Sequence, residues 1–164
     1  MPRNHALFAI IALTSTVAAC ASNAATESFD PRLDQISSSG AKIEISAVGG
    51  IAALAVNHSI RHDDRSYVYT QRRMCNDLCP ATDSASGTIS TAIVDSVFNA
   101  ALPAALALKD DYGITANAAD MMTYTVRVTA NGATKTIKAD DGSMPPALRQ
   151  IVLGVRATID AARK

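Results

Sequence analysis

Thr123-Tyr124-Thr125-Val126-Arg127-Val128-Thr129-Ala130-Asn131-Gly132-Ala133-Thr134-Lys135-Thr136-Ile137-Lys138-Ala139 decides the fold. Tyr124, Val126 and Val128 alternate with Thr123, Thr125, Arg127 and Thr129, the period-two pattern of a half-buried strand. Asn131-Gly132 supplies two residues that tolerate positive φ, as a two-residue hairpin turn demands. Counting outward from that turn pairs Ala130 with Ala133, Val126 with Ile137, and Tyr124 with Ala139, so apolar side chains meet on one face. Val128 falls opposite Lys135 and is the exception to the pattern.

Working upstream, Lys42-Ile43-Glu44-Ile45-Ser46 alternates in the same way and predicts a first strand. Gly49-Gly50 reads as a turn, since glycine takes positive φ without steric cost. Ile51 to Arg61 is expected to return as a second strand. His62-Asp63-Asp64-Arg65 is then a polar hairpin tip, and Ser66 to Arg73 a third strand with Tyr67 and Tyr69 on one face. Met74 to Gly87 carries Cys75, Cys79, Pro80 and small polar residues and reads as a loop.

Two helices complete the pattern. One is expected from about Thr88 or Ser90 to Leu108, with Ile93, Val94, Val97, Phe98 and Ala101 as its apolar stripe and Pro103 as a kink. The other is expected to begin near Ser143 as N-cap, with Pro145 and Pro146 in its first turn. Leu148, Ile151, Val152, Val155 and Ile159 share one of its faces. The expected architecture is α+β: an antiparallel sheet of about five strands with two main helices packed on one face.

The N-terminus speaks to location. Arg3, an apolar run from Ala6 to Leu13 and then small residues have the layout of a signal peptide over residues 1–19. Val17-Ala18-Ala19-Cys20 resembles a bacterial lipobox, which implies lipid on Cys20; cleavage as an ordinary secreted protein is the alternative. Residues 20–40 are rich in Ser, Ala, Asn and Asp and read as a flexible tether, so the folded domain spans 41–164. Residues 20–164 hold 14 basic and 15 acidic side chains, a balance that argues against a nucleic-acid partner and against an electrostatic membrane surface. With Cys20 lipidated, Cys75 and Cys79 are left to form a disulfide in an oxidising compartment.

With these elements in place, the chain resembles the emfourin-like family. Ile43 to Leu54, with its Gly-Gly turn, is similar to that family's opening strand and Gly-Gly-aromatic-Ala-Gly turn. Ile51 stands where an aromatic is usual, and Ala53 replaces the third glycine. Asp120 followed by Tyr124 inside a strand, and Pro145-Pro146-Ala147-Leu148-Arg149 opening a helix, resemble two further hallmarks of the family. The resemblance implies a protein inhibitor of thermolysin-like zinc metallopeptidases.

The residues themselves offer few candidates for chemistry. His58, His62, Cys75 and Cys79 could hold zinc, but a disulfide and two surface histidines are the simpler reading. Asp63-Asp64, Asp110-Asp111 and Asp140-Asp141 read as solvated turn residues. Asp63 or Asp64, at a hairpin tip, is the pair whose carboxylate could reach a protease's zinc, and the Gly49-Gly50 turn is the other candidate contact. Asp120 reads as a turn residue tied to backbone amides, and Tyr124 as core. No His-Glu-x-x-His, Gly-x-Ser-x-Gly or phosphate-binding glycine loop occurs, so no enzyme is expected and no cofactor. The expectation is an envelope-anchored metallopeptidase inhibitor that meets the membrane through its lipid alone and faces the periplasm or cell surface. The alternatives are a periplasmic immunity lipoprotein that neutralises a secreted toxin, and a structural envelope protein.

Overall fold

The structure, a computed structural model, describes residues 40–50, 52–74, 81–116 and 120–164. Along the chain run β1 (Lys42–Gly49), β2 (Leu54–Arg61), β3 (Ser66–Arg73), β4 (Ala81–Thr88), α1 (Thr91–Leu106), β5 (Met122–Ala130), β6 (Ala133–Asp140) and α2 (Pro146–Ala162). The strands form one antiparallel sheet in the order β4-β3-β2-β1-β5-β6. This is the α+β class that the alternating strands and amphipathic helices predict.

Burial follows strand parity. Ile43, Ile45 and Ala47 of β1 are buried, and so are His58 and Ile60 of β2, Tyr67 and Tyr69 of β3, and Val126 and Val128 of β5. These residues face the helices. From α1, Val94, Phe98, Ala101, Leu102 and Ala105 close over them, and from α2, Leu148, Ile151, Val152, Val155 and Ile159. Each large side chain so buried contributes about 1.5–3 kcal/mol. The opposite face of the sheet carries no helix among the described residues; Lys42, Glu44, Ser46, Asn57 and Ser59 are partly exposed there, and Arg61 and Arg127 are exposed.

The hairpin register is as predicted: Ala130 pairs with Ala133, Val126 with Ile137, and Tyr124 with Ala139. The mismatch of Val128 with Lys135 has a physical reason. The Lys135 ammonium donates to the carbonyl oxygens of Leu106, at 3.2 Å, and Leu108, and it lies 3.5 Å from Asp110 Oδ1. Its stem covers the core while its charge caps the C-terminus of α1, where last-turn carbonyls lack helical partners.

Three expectations need correction. The sheet has a sixth strand, β4, inside the segment expected to be a loop. Ala81–Thr88 shows no hydrophobic alternation because an edge strand of small residues packs on one neighbour only. Gly87 belongs there because a Cβ would stand 3.0 Å from the Tyr67 ring. Second, α1 runs from Thr91 to Leu106, and extended Ser90 makes no side-chain cap bond. Third, α2 begins at Pro146 with Pro145 as N-cap, rather than near Ser143. A residue preceding proline is pushed out of the helical region, so Met144 and Pro145 cannot start the helix.

Candidate functional site

The Gly49-Gly50 turn, the approach to β5 and the end of β6 meet at one end of the sheet. The pairing of β1 puts Gly49 opposite Leu54 on one side and Met122 on the other. Gly49 has φ +124°, and a Cβ on it would stand 2.7 Å from the Met121 carbonyl oxygen. Gly50, with φ +74°, donates its N–H to that same carbonyl at 3.4 Å. Only glycine fits at residue 49: the φ is foreign to L side chains and the space is already filled by backbone. Ala53 closes the turn through its N–H to Gly50 O at 2.9 Å, and its own carbonyl accepts from Met74 N–H.

Asp140 locks the neighbouring segments. Its Oδ2 accepts from the Thr115 amide at 2.5 Å, and its Oδ1 from the Thr115 hydroxyl, Gly142 N–H and Ser143 N–H at 2.9, 3.0 and 2.7 Å. The Thr115 amide, before all the others, holds its carboxyl well below the usual carboxylate range. Ser143, expected as a helix cap, instead accepts from Asp140 N–H and donates to Gly113 O. Asp141 Oδ2 accepts from Met122 N–H at 2.9 Å. Tyr124, buried as expected, has its phenol pushed up by burial and then by the Asp141 carboxylate. Asp140 is therefore a buried clamp and not the solvated turn residue expected of it.

The result is a braced rim with an exposed apolar crest. Ala52 and Ala53 are exposed at the turn, Met74 is 50% exposed beside Ala53, and Ile114 next to Thr115 is 76% exposed. Asp120 is exposed in the turn that leads into β5. Leu148, Pro145 and Pro146 stand behind this rim: Leu148 is fully buried, and the two prolines set the start of α2.

Asp63 and Asp64 lie at the opposite end. Lys42 pairs with Arg61 there, seven positions along β1 from Gly49, which is ~24 Å at about 3.4 Å per residue. Both oxygens of Asp63 accept from Gly40 N–H, at 2.9 and 2.7 Å. Asp64 Oδ1 accepts from Ser66 N–H at 3.0 Å, and Ser66 holds its carboxyl low. The fold thus separates the two candidate contacts that the sequence suggests.

Of the two histidines expected at the surface, His58 is buried and His62 only partly exposed. His58 is 4% exposed beneath α2, its ring 5.2 Å from that of Tyr69. Its Nδ1 has no hydrogen-bond partner among the described residues. Desolvation, then Arg156, lowers it to about 4 against the pull of Asp160. His62 shares 2.9 Å with Asp95 Oδ1 and meets the Phe98 ring edge-on. Among the described residues no three of His, Cys, Asp and Glu gather to hold a metal. Cys20, Cys75 and Cys79 lie outside the described residues.

Sequence reasoning missed Asp140, Thr115 and Lys135. Asp140-Asp141-Gly142-Ser143 does carry the signal of an Asx-turn. Thr115 and the α1 carbonyls have no local signal, because their partners are more than 20 residues away. No protein-family model and no curated protein matches this chain.

Proposed function

We propose that this is an envelope-anchored protein inhibitor of a thermolysin-like zinc metallopeptidase, acting by reversible occlusion of the active-site cleft with the Gly49-Gly50 rim. One observation carries the reading. The Gly-Gly turn and the Asp120–Tyr124 segment, two of the three stretches on which the emfourin resemblance rests, are locked together through Gly49, Gly50 and Met121. A wedge that enters a cleft binds better when its loops are ordered beforehand, because less conformational entropy is lost. The crest is small and apolar at Ala52 and Ala53, so it can approach a cleft floor closely.

This favours the rim over Asp63 and Asp64, whose carboxylates already serve Gly40 and Ser66. In the same proposal Cys20 carries the lipid, and the tether of about 20 residues lets the domain range roughly 25 Å from the membrane. The test is titration of the chain from Ser22 onward into thermolysin while peptide cleavage is followed. Stoichiometric loss of activity supports the proposal. Full activity at saturating protein refutes it and turns attention to a secreted toxin as the partner.

A further inference from the structure

One end of the sheet's open face carries a surplus of basic side chains, Lys42, Arg61 and Arg127 against Glu44. Strand register sets Lys42 opposite Arg61 and Glu44 opposite Arg127 toward that end, while Arg72 lies at the Gly49 end beside Ala55 and Lys138 on β6 is bridged by Asp111. Apart from Asp111 beside Lys138, the other described carboxylates sit largely elsewhere. Asp63 and Asp64 are in a turn, Asp140 and Asp141 are at the rim, and Asp83 and Asp160 are beside Arg163 at the end of α2. Lys42 stands directly opposite Arg61, an arrangement that costs stability when like charges face each other. Lys42 answers it by pairing with Glu44 at 2.7 Å, and Arg61 and Arg127 project exposed on either side. Between them lies a trough of about 700 Å³ lined also by Ser46, Ser59 and Thr125, whose hydroxyls can donate.

We infer that this face is a docking surface for anionic phospholipid headgroups and lays the domain flat on a membrane. Guanidinium groups flanked by hydroxyls match phosphate oxygens. The aromatic residues of β3 and β5, Tyr67, Tyr69 and Tyr124, are all turned to the helix side, so the described residues of these strands offer no stacking platform for sugar rings or bases on the open face. The choice of a membrane over other polyanions rests on Cys20 as lipid anchor. It also rests on position, because Gly40, where the tether joins, is two residues from Lys42 at the trough's end. Docked in this way, the strands lie parallel to the membrane plane. The Gly49-Gly50 rim, at the strand ends, stays free to meet a protein.

The test uses the chain from Ala21 onward, which contains every buried core residue and cannot take lipid. Cosedimentation compares vesicles of phosphatidylcholine alone with vesicles holding 30% phosphatidylglycerol, a composition chosen on the order of natural anionic content. The expected results are binding to the anionic vesicles only, loss of binding on raising salt well above 0.1 M, and at least a tenfold weakening by the double variant Arg61→Glu, Arg127→Glu. Lys164→Glu, a charge reversal at the end of α2 on the opposite side of the sheet, is expected to bind as the parent does. Thermal melts confirm that each variant folds. Equal binding to neutral vesicles, equal binding by the double variant, or binding to soluble polyphosphate but not to vesicles would overturn the inference. Because this chain carries no lipid and no protease is present, such a failure leaves both Cys20 as anchor and the inhibitory rim to be judged separately.

Discussion

Thr115 reaches Asp140 twice, through its amide at 2.5 Å and its hydroxyl at 2.9 Å, across 25 residues of chain. This pairing makes the end of the sheet a braced structure and not a set of independent loops. Asp140 is 1% exposed and takes two further backbone N–H bonds from Gly142 and Ser143. A carboxylate so surrounded is stabilised as the anion.

The first prediction concerns acid. The Asp140 carboxyl is depressed on folding, so its contribution is fully present above the unfolded value of about 3.9 and is lost as pH falls through its folded value. Asp140→Asn is expected to lower the melting temperature at pH 7 and to flatten its fall below pH 4. Melting temperatures of parent and variant between pH 2 and 7 check this; identical pH profiles would contradict it.

His58 gives a second pH dependence in another window. Its folded value of about 4 lies below the unfolded 6.5, so the folded state binds fewer protons between them. Stability is full above pH 6.5 and declines toward pH 4, by roughly 2 kcal/mol once solvent screening of its charged neighbours is allowed for. His58→Phe is expected to remove that slope in urea unfolding measured from pH 4 to 7. A slope unchanged in the variant would show that the titration belongs to another group.

Much of this fold is legible in the sequence, and for local reasons. Asn131-Gly132 and the alternation on either side of it set the β5–β6 register residue by residue, because turn type and hydrophobic pattern agree. Ile43 and Ile45 mark β1 in the same way. What stays hidden depends on distant partners. Ala81–Thr88 becomes a strand because β3 offers it an edge, and nothing in its own small residues says so. Lys135 reads as an error of register until α1 supplies the carbonyls it caps. His58 looks like a surface histidine of β2 until α2 covers it. For the candidate site, the Gly-Gly turn is visible as a turn, but its lock on Met121 is not.

That lock yields a third prediction, a contrast between two glycines with positive φ. Gly49→Ala drives a Cβ toward the Met121 carbonyl and is expected to cost roughly 2 kcal/mol or more. Gly132, with φ +76° and open space around its Cβ position, is expected to lose only about 1 kcal/mol as alanine. Chemical denaturation of both variants tests the order; equal losses would mean that backbone contact at Gly49 does not constrain the rim.

A fourth prediction follows from the mismatch in the hairpin. Lys135→Met keeps most of the apolar stem over Val128 but removes the donor to Leu106 and Leu108. A loss of about 1–2 kcal/mol is expected from the uncapped helix end. Hydrogen exchange should rise first in the last turn of α1. Unchanged exchange there would remove the capping role.

The account stands or falls on the rim. The decisive measurement is inhibition of thermolysin by the parent chain, by Ala52→Arg at the exposed turn, and by Asp63→Ala and Asp64→Ala at the opposite end. The account predicts stoichiometric inhibition by the parent, at least tenfold weaker inhibition by Ala52→Arg, and parental inhibition by both aspartate variants. Full protease activity with saturating parent protein, or inhibition abolished by the aspartate variants and retained by Ala52→Arg, would contradict it.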